Sequence, residues 1–241
     1  MRISQLSIAT MTLARTVEEE RALRVSLRSL AQLGAPVFVG DGGSSEHFRA
    51  SMRALPNVTL LLAPRPGVVP QTRASLEAAL ARRTPFVLYT EPDKRLFFER
   101  DLERFIADAP DDPALGASIA ARTPASFATF PETQRQTEGT INALFGAEIG
   151  LAGDFCYGPV ILNRELVGRI RDVEDNLGWG WRFYVIGAAQ RLGYPLHAFA
   201  TDMPCPSDQR EDPLGERKRR MRQLVQNLEG ALRVISDWEQ T

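Results

Sequence analysis

The 241-residue sequence predicts an α/β fold, a doubly wound and mostly parallel sheet flanked by helices. Three observations carry that expectation. Short apolar runs alternate with helical patterns over residues 1–110. Turn-forming residues close the runs, as in Asp41-Gly42-Gly43-Ser44. Polar residues fit to hold a ligand (Thr10, Asp41, Asp93) stand at the ends of the runs, where such sheets bind ligands.

The elements follow in order. Residues 6–10 form a first buried strand. Thr16 and Glu19 make a capping box, opening a helix with Leu23, Leu27, Leu30 and Ala31 on its apolar face and Gly34 at its end. Residues 36–40 and 58–62 are the second and third strands. Pro70 suits the first turn of a helix carrying Leu76, Ala79 and Leu80. Residues 86–90 are a fourth strand, followed by one helix with Phe98, Leu102, Phe105 and Ile106 on one side.

Beyond residue 110 the pattern loosens. Residues 115–121 and 196–200 read as strands. The polar stretch 123–140, with two prolines, reads as a long loop. Trp181, Val185, Ala188 and Leu192 mark a helix ending at Gly193. A last helix over 216–238 is expected to bury Met221, Leu224, Val225, Leu228, Leu232 and Ile235. With neither a repeat nor a low-complexity linker, the expectation is one domain spanning 1–241.

Composition narrows the function. At 44% hydrophobic and 24% charged residues, the chain has enough apolar side chain for a sizeable core. A net charge of −1 argues against a nucleic-acid partner. No apolar run is long enough for a transmembrane helix, and the N-terminus does not read as a signal peptide. Two cysteines without a CxxC indicate neither a disulfide framework nor a zinc site, so a reduced, cytoplasmic protein is expected.

The chemistry concentrates at two strand exits. Glu91 and Asp93, one residue apart, are oxygen ligands suited to Mg²⁺ or Mn²⁺ shared with nucleotide phosphates, although acids in a loop are commonly just solvated. Lys94 and Arg95 are phosphate partners or neutralising neighbours. Asp41 either ends a strand or accepts hydrogen bonds from a base or ribose, with Gly42 permitting close approach. Trp179 and Trp181 read equally as core or as a stacking platform for a sugar. His197 reads as a packed strand histidine, and the Arg217–Arg222 cluster as a solvated helix face.

The order of residues 37–44, Gly67-Val-Val-Pro-Gln-Thr72-Arg73 and Leu88-Tyr-Thr-Glu91-Pro-Asp93 resembles the nucleotide-binding half of family 2 glycosyltransferases of the GT-A fold. The resemblance covers residues 3–110 well and the remainder loosely. It implies a nucleotide-sugar-binding half over 1–110 and an acceptor-side half over 111–241. It also implies a nucleoside-diphosphate sugar donor, a divalent metal (Mg²⁺ or Mn²⁺) and an unidentified acceptor. By carry-over Asp41 binds the nucleoside, Thr72 or Arg73 lines the base pocket, and Asp93 meets metal and diphosphate. Glu91 stands where the family usually has Asp. Inverting members carry a Glu-Asp pair where this chain has Gly178-Trp179-Gly180-Trp181-Arg182. Glu174, Asp175 and Asp154 are therefore the candidate bases if the transfer inverts. Two other readings are a sugar-phosphate nucleotidyltransferase, which normally has a glycine-rich loop after the first strand, and a non-catalytic relative binding a sugar or a protein.

Overall fold

The computed structural model describes residues 1–238. Seven strands form one sheet in the order β3-β2-β1-β4-β6-β5-β7. They are β1 (Leu6–Thr12), β2 (Val37–Asp41), β3 (Val58–Leu62), β4 (Phe86–Tyr89), β5 (Ala117–Arg122), β6 (Val160–Asn163) and β7 (Leu196–Thr201). The α-helices are α1 (Val17–Gln32), α2 (Glu46–Arg53), α3 (Val68–Ala81), α4 (Arg95–Arg100), α5 (Leu102–Asp108), α6 (Pro124–Phe127), α7 (Glu132–Ile149), α8 (Arg164–Val167), α9 (Trp181–Arg191) and α10 (Leu214–Trp238).

Side chains alternate across the sheet, so each strand feeds two cores. Phe86 and Leu88 of β4 join Leu6, Ile8, Val37 and Val39 on the face covered by α1, α2, α4 and α5. Val87 and Tyr89 join Ala9, Phe38 and Ile119 on the face covered by α3, α7, α9 and α10. Both faces are dry at β1, β2, β4, β5 and β6, which explains why the first, second and fourth strands read as continuous apolar runs. No helix among the described residues is long and apolar enough to cross a membrane.

Strand order reverses between β1, which leads to β2 on one side, and β4 on the other. That switch point opens a crevice at the carboxyl ends of the parallel strands. Strand β6 runs antiparallel to both β4 and β5, with Val160 opposite Tyr89 and Ile119. The segment leading into β6 therefore lies beside the exits of β4 and β5. Residues from three distant parts of the chain meet there: Glu91, Arg122 and Tyr157.

The expected capping box at Thr16 and Glu19 is present, and Gly34 follows α1 at φ 80°. Four expectations need correction. The stretch 123–140 is not a loop but α6 and the start of α7. Its polarity misled because Gln134 and Glu138 are buried against other polar groups, while Ile141, Phe145 and Ile149 supply the apolar face. The single helix expected after β4 breaks at Asp101, whose carboxylate accepts a hydrogen bond from Thr201 Oγ1 at 2.5 Å. Strand β6 was not anticipated, being only four residues long behind Gly158-Pro159. Finally, Met221, Val225 and Leu232 are exposed rather than buried. Helix α10 docks through Asn227, Gly230 and Val234, with the expected Leu224 and Leu228 partly buried beside them.

That docking is close. A Cβ on Gly230 would lie 2.1 Å from the Gly180 carbonyl oxygen, and one on Gly180 would lie 2.0 Å from the Gln226 carbonyl oxygen. Gly230→Ala sets two effects against each other: about 1 kcal/mol of helix propensity gained, against roughly 1–3 kcal/mol of overpacking. Backbone meets backbone here, so overpacking wins. Chemical denaturation of the variant is expected to show net destabilisation.

Candidate functional site

A cleft of about 890 Å³ opens at the exits of β4 and β5. Its floor carries Glu91, Asp93 and Lys94, one wall Arg122 and Tyr157, and another Trp179, Arg182 and the α10 side chains Arg220 and Gln223.

Glu91 is buried, and its Oε1 accepts a hydrogen bond from Arg182 Nη1 at 2.8 Å. Its Oε2 is buried without a partner, as is Arg182 Nε. The close fit depends on Gly158, at φ 132°, where a Cβ would fall 2.1 Å from Glu91 Oε2. Asp93, two residues on, is more than half exposed and meets Lys94 Nζ at 3.0 Å. The Lys94 ammonium in turn lies 5.7 Å from the Tyr157 ring. Burial, and to a lesser degree Asp93 and Asp154, raise the Tyr157 phenol and outweigh Arg122, so it stays protonated.

Behind this floor is a buried ionic cluster. Arg122 Nε donates to Asp154 Oδ2 at 2.5 Å, and Nη2 donates to Glu138 Oε2 at 2.5 Å. Glu138 also accepts from Arg220 Nη1 at 2.9 Å and from Gln134 at 3.0 Å. Asp154 also accepts from Asn142 at 3.0 Å and from the Cys156 amide at 3.2 Å. Phe127, Phe130 and Tyr157 surround the guanidinium at 4.4–5.5 Å, contacts that favour a desolvated cation.

The residues expected on the donor side are mostly interior. Asp41 is fully buried and accepts from Thr12 Oγ1 (2.9 Å), Ser44 Oγ (2.6 Å), the Ser44 amide (2.9 Å) and the Gly43 amide (3.1 Å). It thereby fixes the turn after β2 to the end of β1. Gly42 allows the Gln71 side chain against the backbone, where its Nε2 donates to the Thr12 carbonyl at 2.7 Å. Thr72 Oγ1 lies 3.3 Å from the Tyr89 hydroxyl, and the Thr10 hydroxyl is buried without a partner. Arg73 points elsewhere, donating to Asp175 at 2.9 Å and to the Val173 carbonyl.

The three candidate bases scatter. Asp175, held by Arg65 and Arg73, and Glu174, 3.1 Å from Arg233, line a separate open depression. Asp154 is locked in the Arg122 cluster. None of the three is among the described residues that line the cleft. Trp181 is core, edge-on to Tyr89 at 4.7 Å, whereas Trp179 lines the cleft with the Arg182 guanidinium 5.4 Å from its ring. His197 Nδ1 shares a hydrogen bond with Ser118 at 3.0 Å, in keeping with a packed strand histidine. Cys156 and Cys205 are free thiols, with that of Cys156 pushed well up by burial.

No protein-family model and no curated protein matches the chain. Solved structures do match it in fold. A glucosyl-3-phosphoglycerate synthase from Mycobacterium tuberculosis, in complex with Mn²⁺, uridine diphosphate and glucosyl-3-phosphoglycerate, aligns with a TM-score of 0.64 at 16% identity, over 94% of this chain and 79% of that one. The same enzyme with Mn²⁺ and UDP-glucose aligns at 0.65 and 16%, over 94% and 78%. A mycobacterial protein of unstated activity aligns at 0.67 and 16%, over 94% and 74%. The fold is GT-A. The GT-A sheet places Glu91 and Asp93 at the exit of β4, at the rim of the switch-point crevice.

Sequence reading missed Arg182, Arg122 and Glu138, and took Arg220 for part of a solvated helix face, whereas its side chain turns inward onto Glu138. Only Arg182 carried a signal, as a cation just after Gly178-Trp179-Gly180-Trp181 where a carboxylate pair is the family pattern.

The Arg122 cluster has a pH signature. Burial alone would raise the Asp154 carboxyl, but the Arg122 charge and the hydrogen bonds outweigh it and hold it below the ordinary range. A folded pKa below the unfolded one gives stability that is complete above about pH 4 and is lost as pH falls through the folded value. Asp154→Asn is expected to cost about 3–5 kcal/mol at neutral pH, because it leaves Arg122 short of a partner. Urea denaturation should show the gap to the unmodified chain narrowing below about pH 4.

Proposed function

We propose that the chain is a glycosyltransferase that moves a sugar from a nucleoside-diphosphate donor to an acceptor. The observation that carries this is the placement of Glu91 and Asp93 at the β4 exit of a GT-A sheet, on the floor of a cleft large enough for a sugar nucleotide. The neighbours crystallised with Mn²⁺ and UDP-glucose support the reading by analogy of fold.

A divalent cation fits the donor set unequally. Asp93 is accessible, and a single carboxylate completed by water and phosphate oxygens suits Mg²⁺ or Mn²⁺. Glu91 has one oxygen on Arg182 and the other buried against Gly158, so it acts by fixing Arg182. Among the described residues no three His, Cys, Asp or Glu side chains converge. When bound, the cation supplies charge stabilisation to the departing diphosphate.

The chain's own residues do the rest. Lys94 on the floor and Arg182 on the wall each stand beside a carboxylate, and Trp179 offers an aromatic face to a sugar ring. Asp41 and Gln71 hold the turn after β2 in register with the end of β1, so that the nucleoside side of the crevice keeps its shape. Asp154, Glu174 and Asp175 are each engaged by a guanidinium. None of these three is free to act as a base, whereas Asp208, Glu211 and Asp212 line the cleft itself. The two free thiols fit a reducing, cytoplasmic setting.

A second reading, a binding protein without transfer activity, is favoured by the pairing of Glu91 and Glu138 with arginines. One experiment separates the two. Calorimetry with UDP and GDP, each with and without Mn²⁺, should show Mn²⁺-dependent binding of one of them, weakened roughly tenfold or more (about 1.4 kcal/mol) by Asp93→Ala. Slow hydrolysis of the matching sugar nucleotide, lost in the same variant, supports the transferase. Binding without turnover across an acceptor panel supports the second reading. Absence of binding to either nucleotide, and to ADP and dTDP as well, defeats the transferase.

A further inference from the structure

Helix α10 has two apolar faces, and the fold uses one. Asn227, Gly230 and Val234 are buried against α9 and the 178–180 segment, while Arg220 and Gln223 turn into the cleft. On the opposite side Leu214 (59% exposed), Met221 (58%), Val225 (66%) and Leu232 (55%) stand in water. Their spacings of seven, four and seven residues place them on one stripe along the helix. A surface row of large apolar side chains on this scale marks an interaction face.

We propose that a second copy of this chain covers the stripe, with the two α10 helices packed antiparallel about a two-fold axis near Gln223. The sequence of the stripe argues for that occupant. Reflected about residue 223, Leu214 falls opposite Leu232 and Met221 falls opposite Val225, so the row matches itself when reversed. An isologous two-fold contact demands such self-complementarity. The charges beside the stripe agree. Lys218 and Glu229 lie on the same flank at opposite ends, and residues on one flank face each other in an antiparallel pair. Lys218 reflects onto position 228, about 1.5 Å along the axis from Glu229. The contact therefore closes with two Lys218–Glu229 ion pairs, one at each end. Glu229 Oε1 already meets Arg233 Nε at 3.2 Å and retains Oε2 for the lysine. An anionic lipid surface, the other chemistry an apolar and basic helix suits, has no use for Glu229 beside the stripe.

The consequence for the site is mechanical. The buried side of α10 supplies Arg220 and Gln223 to the cleft wall, so a partner along the outer side braces that wall. The proposal rests on the helix alone and stands apart from the activity.

Sedimentation velocity on the full chain tests it. A dimer is expected at micromolar concentrations. Met221→Glu and Val225→Glu should each be monomeric with unchanged circular dichroism. Lys218→Glu and Glu229→Lys should each weaken the dimer several-fold, and the double variant should recover it. A role of these surface charges in the monomer alone would not produce that recovery. Four results overturn the proposal: a monomer at every concentration, a dimer indifferent to Met221→Glu, failure of the double charge reversal to restore pairing, or a monomer that co-sediments with phosphatidylglycerol vesicles.

Discussion

The cleft depends on the buried pair between Glu91 and Arg182. It ties the exit of β4 to the first turn of α9, bridging parts of the chain ninety residues apart. A guanidinium in the first turn of a helix is disfavoured by the helix dipole, and a carboxylate there is favoured. Glu91 supplies that carboxylate from another element. Two buried ions are stable together only with close geometry, and removing one leaves the other uncompensated. Gly158 is the condition for that geometry, since any side chain there would occupy the space of Glu91 Oε2. The pair also divides the labour between two neighbouring acids. Glu91 holds the floor, and Asp93 is left accessible.

Around the cleft Glu91 pairs with Arg182, Asp93 with Lys94, and Glu138 with Arg122 and Arg220, while Asp208, Glu211 and Asp212 add negative charge to its lining. In a site of this kind a polyanionic ligand brings charge that the protein alone does not neutralise, and a divalent cation is the economical counter-ion. Arg122, caged by three aromatic rings and two carboxylates, adds rigidity behind the floor. It anchors α7 and the 154–157 segment to the end of β5, so the walls keep their spacing.

The first half of the fold was legible because its signals are local. Strands β1, β2, β3 and β4 are short apolar runs closed by turn residues, and the caps of α1 stand within a few residues of each other. The second half obeys longer-range rules. Helix α7 looked like a loop because Glu138 faces arginines from β5 and α10, and Gln134 is buried against Glu138, contacts that no window of sequence contains. Strand β6 is too short to announce itself. The outward stripe of α10 read as core because periodicity shows that a helix has an apolar face, not which neighbour covers it. The site divided in the same way. Asp93 and Glu91 were readable from their place at a strand exit, whereas the partner that commits Glu91 lies on a helix far along the chain.

In the proposed transferase Asp93, and not Glu91, receives the cation while the Glu91–Arg182 pair stays closed. A crystal soaked with UDP and Mn²⁺ tests this most directly. The expected result is an anomalous manganese peak against the Asp93 carboxylate, phosphate oxygens completing its shell, and Arg182 still on Glu91. Manganese bound directly by Glu91 with Arg182 displaced, or nucleotide density away from the β4 exit, would contradict it.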